Sequence, residues 1–110
     1  MAQNDMFVVM YKLLCYLYDC MKRDEPPSPS CYSASALGIP EGYWARIIEE
    51  MVDHGFVTGF VVSKDMSGNR VVSVSSPAVT MEGVAFAQEN SMMGKARQFL
   101  LDAKAMLPFI

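Results

Sequence analysis

Residues 39–60 constrain the chain more than any other stretch: a helix start, an apolar stripe and a helix stop follow one another, and a β-forming run begins at once. Pro40 suits a first helical position, where its missing N–H is not needed and its fixed φ is already helical. Glu41 adds negative charge at the positive end of the helix dipole. At about 100° per residue, Trp44, Ile47, Ile48, Met51 and Val52 fall on one side, and Arg46, Glu49, Glu50 and Asp53 on the other. The first set predicts core and the second a solvated face. Gly55 can take the left-handed conformation that closes a helix, with His54 before it at the negative end of the dipole.

After Gly55 the period changes. Phe56, Val57, Phe60, Val61 and Val62, then Val71, Val72 and Val74, are the β-branched and aromatic content of two strands. Met66, Ser67, Gly68 and Asn69 between them predict a hairpin turn, which gives a two-stranded wing over residues 56–75. On the other side, Ser33 or Ser35 can cap a brief helix ending at Leu37 and Gly38. A three-residue turn of Gly38, Ile39 and Pro40 then leads into the central helix, so residues 33–54 read as a helix-turn-helix. Thr80 is expected to cap a helix over 80–89, and Asn90 and Ser91 to start a last one over 91–107, stopped by Pro108. In that last helix Met92, Ala96, Phe99, Leu100, Ala103 and Leu107 form the expected core stripe. The fold class is therefore α+β: one winged-helix domain over 1–110, a helix-turn-helix plus a two-stranded wing with two further C-terminal helices.

The N-terminal helix, about 4–23, is the most apolar part of the chain. Asn4 or Asp5 can cap it, and its polar side narrows to Lys12 and Asp19. A helix that is apolar nearly all round must be covered nearly all round. A second subunit is one cover, which makes a homodimer the expected assembly; the alternative is that the first and last helices cover each other. Three prolines within Pro26–Pro29 predict a loop over 24–32, with a short edge strand at Cys31 and Tyr32.

The residue inventory excludes most chemistry. One histidine, His54, cannot supply a Ser-His-Asp or Cys-His arrangement beyond itself. Cys15 and Cys20 lie about 140° apart on a helix and cannot share a zinc, and an apolar helix raises a thiol pKa rather than lowering it. Glu49 and Glu50 point in different directions and make no acid/base pair. No phosphate-cradling glycine loop is present. No enzyme activity, cofactor, metal or small-molecule ligand is expected. Three cysteines, an odd number, fit a reducing cytoplasm better than a disulfide framework. The apolar run from Met6 to Tyr18 is shorter than the ~20 residues a bilayer span needs. A net charge of −3 argues against a broad basic surface for nucleic acid.

The order of elements and several residues resemble a known family. Leu37-Gly38-Ile39, Glu41 and Trp44, Ile48, Gly55-Phe56-Val57 and Gly59, and Val79-Thr80-Met81-Glu82-Gly83 running into Glu89-Asn90 and a closing helix are similar to the YjcQ family of small bacterial and prophage-borne winged-helix proteins. The resemblance spans roughly Met6 to Phe109. The Thr-x-x-Gly helix start is shared with many winged-helix proteins, whereas the paired helices split by Glu-Asn are more particular to this family. It implies a winged-helix fold and a mobile-element origin, without an established activity.

Two functions are compatible with these residues. The first is a winged-helix transcription regulator that binds double-stranded DNA through the central helix, with Tyr43 and Arg46 in the groove and Lys64, Arg70, Arg97 and Lys104 on phosphates. The second is a protein-interaction or dimerisation module that keeps the fold without binding nucleic acid and docks a partner through Phe7, Tyr11, Leu14, Tyr18, Met92 and Phe99. The family and fold favour the regulator, which is the expected function, with the module as the alternative. The three carboxylates on the outer side of the central helix favour the module.

Overall fold

The computed structural model describes residues 1–103. In it the N-terminal helix, α1 (Met6–Arg23), is the element around which the others gather. Asp5 caps it by accepting from the Phe7 N–H at 2.9 Å. Nine of its side chains are buried, on nearly every side. The cover comes from within the chain, chiefly from α6 (Ser91–Asp102), β2 (Arg70–Val79) and α5 (Met81–Glu89). The alternative in which the first and last helices cover each other is thus the observed packing, and the apolar circumference of α1 no longer argues for a second subunit.

Asp24, in the left-handed region at φ 53°, ends α1. The proline-rich stretch that follows is not wholly a loop. Pro29–Tyr32 forms a single helical turn, α2, capped by Ser28, in place of the expected edge strand at Cys31 and Tyr32. The reason is tertiary. Tyr32 is buried, its ring meets Phe60 edge-on at 6.1 Å, and its carbonyl accepts from the Trp44 indole N–H at 2.8 Å. Ser33 caps the next turn, α3 (Ala34–Leu37), and Gly38 closes it at φ 69°.

The central helix, α4 (Glu41–Asp53), buries Trp44, Ile47, Ile48 and Met51 as its stripe predicts, buries Ala45 as well, and leaves Val52 half-buried. Pro40 is the residue before the first helical one, a shift of one position. At the other end Gly55 takes φ 73°, its N–H donates to Val52, and the Phe56 N–H donates to Met51. That pair of bonds satisfies carbonyls the helix leaves open.

β1 (Val57–Lys64) and β2 pair antiparallel with Phe60 opposite Val74 and Lys64 opposite Arg70. The hairpin is longer than expected, since β2 runs to Val79 rather than ending near 75. Ser75-Ser76-Pro77 reads as a break, yet the ladder absorbs it as a bulge beside Gly59. Gly59 sits at φ 85°, and a Cβ there would lie 2.5 Å from the Ser76 carbonyl oxygen, so only glycine fits. At the tip the Asp65 carboxylate accepts from the Ser67 and Asn69 N–H groups, both at 2.9 Å.

Thr80 caps α5 and Asn90 caps α6 as expected. The buried stripe of α6 is Met93, Ala96 and Leu100, with Met92 and Phe99 only half-buried. The expected stripe placed Met92 inward; the structure buries its neighbour Met93 instead and leaves Ala103 exposed. Lys104, Leu107 and Pro108 lie outside the described residues.

Candidate functional site

The outer side of α4 and the inner side of the hairpin tip meet in one ion-pair network. Arg46 bonds Glu49 at 2.9 Å, three residues on, and Glu50 at 2.7 Å, four residues on. Arg70, carried back by β2, bonds the other oxygen of Glu49 at 3.2 Å. These bonds, that of Arg70 first, hold the Glu49 carboxyl below its ordinary pKa. His54 Nδ1 stands 2.8 Å from the Glu50 backbone carbonyl, which can only accept, so the ring carries its proton there.

The remaining DNA-contact candidates are dispersed. The Tyr43 hydroxyl donates to the Asn4 carbonyl at 2.7 Å, which ties α4 to the residues before α1. Arg97 lies beside the Tyr11 hydroxyl and Cys15 on α1. Burial, first, and the neighbouring Cys15 keep Tyr11 protonated well above its usual range, and burial also pushes the Cys15 thiol up. Lys64 is exposed within the field of Glu49. Lys104 lies outside the described residues. The structure therefore brings Arg46 and Arg70 together, around carboxylates, and does not join Tyr43 or Arg97 to them.

The candidate partner residues divide differently. Tyr11 and Leu14 turn inward, 5% and 1% exposed, and belong to the core instead of a partner surface. Tyr18 is half-buried with the Lys22 ammonium 4.6 Å from its ring centre, and Phe99 is half-buried against the core. Phe7 and Met92, far apart in sequence, meet at a cavity of about 360 Å³ that Met6, Met10, Phe56 and Phe86 also line. Glu50, His54 and Asn90 complete its wall. Phe56 stacks on Phe86 at 4.3 Å and on His54 at 5.5 Å. Beyond this stack, Phe56, Phe86 and Asn90 also line a second cavity of about 410 Å³ with Ala85, Glu82 and Glu89.

Sequence reasoning missed Phe56, Phe86, Glu82 and Glu89. The β-rich run predicts strand at Phe56, which lies just before β1, and nothing local tells which way a short helix such as α5 presents Phe86. Among the described residues no group of three histidine, cysteine or acidic side chains is placed to hold a metal, and no helix is long and apolar enough to cross a membrane.

The YjcQ protein family model matches residues 11–106, most of the chain. The chain belongs to the YjcQ family. No curated protein and no solved structure matches it. In this YjcQ chain several of the residues that carry the resemblance hold the base of the hairpin together. The Thr80 hydroxyl accepts from the Gly83 N–H at 3.0 Å and donates to the Gly55 carbonyl, while the Thr80 N–H donates to Phe56 at 3.0 Å. A Cβ at Gly83 would collide with the Phe56 carbonyl oxygen. The Gly55-Phe56-Val57 and Thr80-Met81-Glu82-Gly83 segments of the YjcQ chain thus clasp each other at the base of the hairpin.

Proposed function

We propose that the chain is a winged-helix protein that serves as a protein-interaction module rather than as a reader of duplex DNA. The winged-helix reading rests on the order α3, a three-residue turn, α4 and a long antiparallel hairpin, in which α4 holds the recognition-helix position. A transcription regulator on this frame would need cations free at α4 and the wing. The observation that carries the choice is that Arg46 and Arg70 are bonded to Glu49 and Glu50, and that Lys64, the further cation at that face, lies in the field of Glu49. Their charge is already balanced by carboxylates that a phosphate would have to approach, and Asp53 would also face the backbone with the wrong sign. The hairpin beside it offers apolar surface instead: Val61 and Val71 are 66% and 45% exposed, and Met66 stands fully out at the tip.

We read the module as non-catalytic and cytoplasmic; free Cys15, Cys20 and Cys31 suit a reducing compartment. The test is a mobility-shift assay on mixed-sequence duplex DNA at low salt, with micromolar protein. No shift is expected. A shift that fades steeply as salt rises, and is lost in Arg46→Glu and Lys64→Glu variants, overturns the module reading in favour of the regulator.

A further inference from the structure

We propose that the two cavities around the Phe56–Phe86 stack dock a basic amphipathic helix of a partner protein, an inference that rests on the module reading. The cavities, about 360 and 410 Å³, share Phe56, Phe86 and Asn90 and so form one surface. Both are open on one side rather than enclosing, unlike a small-ligand pocket, which buries most of its ligand. The apolar floor is built from three thioethers, Met6, Met10 and Met92, with Phe7, Phe56 and Phe86. Flexible, polarisable methionines suit a groove that must adapt to the apolar stripe of a helix.

Charge selects the occupant. Glu82 and Glu89 border one cavity and Glu50 the other, and no lysine or arginine lines either. Glu50 is engaged by Arg46, but Glu82 and Glu89 are exposed and make no ion pair among the described residues. Carboxylates at the rim favour lysine or arginine, and the apolar floor favours the aliphatic anchors between them. A helix presenting leucine-like side chains on one side and ammonium groups along its flanks meets both demands at once.

The probe is a short fluorescein-labelled helix of leucine and lysine, titrated with the full chain by anisotropy, with a leucine–glutamate helix as its control. The lysine helix is expected to bind and to weaken as salt rises, and the glutamate helix not to bind. Phe86→Ala, and separately the exposed pair Glu82→Lys and Glu89→Lys, should each lower affinity by about tenfold or more. Glu41→Lys with Asp53→Lys, away from the cavities, should leave it unchanged. The circular dichroism of each variant should match the parent; because Glu82 and Glu89 are solvent-exposed, their pair decides the matter should Phe86→Ala unfold. Absence of binding overturns the proposal, as does equal loss from the α4 variants, which would mean unspecific attraction. A Phe86-dependent dimer in sedimentation without peptide binding overturns it too, assigning the surface to a second copy. Peptide failure with duplex DNA also unbound removes this site alone, whereas DNA binding removes the module reading beneath it.

Discussion

Glu49 is the residue on which the electrostatics of the α4 face turn, because it accepts from two arginines that come from different elements. Its pKa lies below the ordinary carboxylate value, chiefly through the Arg70 bond. A depressed carboxyl contributes stability that is present above the unfolded pKa and is lost as pH falls through the lower folded value. Arg70→Gln should therefore move the Glu49 titration upward toward the ordinary carboxylate range, with Arg46 still holding it down in part, which carboxyl-carbon NMR across the acid range would read directly. An unmoved titration would mean that the bond between hairpin and helix does not persist in solution. Half of this arrangement was legible in advance: Arg46 with Glu49 and Glu50 is i,i+3 and i,i+4 spacing on a helix. The other half was not, since Arg70 is twenty-one positions from Glu49 and only the hairpin register returns it.

At the level of elements, the two glycines of contrasting environment, Gly59 and Gly42, make opposite predictions. Gly59→Ala would drive a Cβ into the Ser75 and Ser76 carbonyl oxygens at a positive φ, and should destabilise by roughly 2 kcal/mol or more. Gly42→Ala, in α4 with nothing within 4 Å, should stabilise by up to about 1 kcal/mol. Urea unfolding of the two variants beside the parent checks both. Elements whose signals are local were readable: Ser33, Thr80 and Asn90 cap the helices where their side chains reach forward to free N–H groups. What escaped was set by distant partners. Tyr32 is helical because Trp44 and Phe60 bury it, and β2 continues through Pro77 because Gly59, across the ladder, leaves room for the bulge. The phase of α6 was set by packing too, which buries Met93 fully and leaves Met92 half-buried.

For the molecule as a whole, the strongest sequence argument for self-association was the apolar circumference of α1, and that surface is now spent on α5, α6 and β2. A monomer is the expected species, and sedimentation velocity over a wide concentration range would reveal it; a dimer insensitive to dilution would require another interface. The candidate site, too, exists only at this scale. Phe7, Phe56, Phe86 and Met92 come from four separate parts of the chain, so no window of sequence holds the pattern. The Thr80 clasp has a consequence at the same scale. Because Gly55 and Phe56 are bonded to Thr80 where the hairpin leaves the helices, the strands between them form an arm whose two roots are already joined and which Arg70 ties to α4 near its tip. Length can be added or removed at the Asp65–Asn69 end with only the slow entropic cost of a longer loop, so evolution is free to reshape the reach of this arm while the helical body beneath it keeps its form.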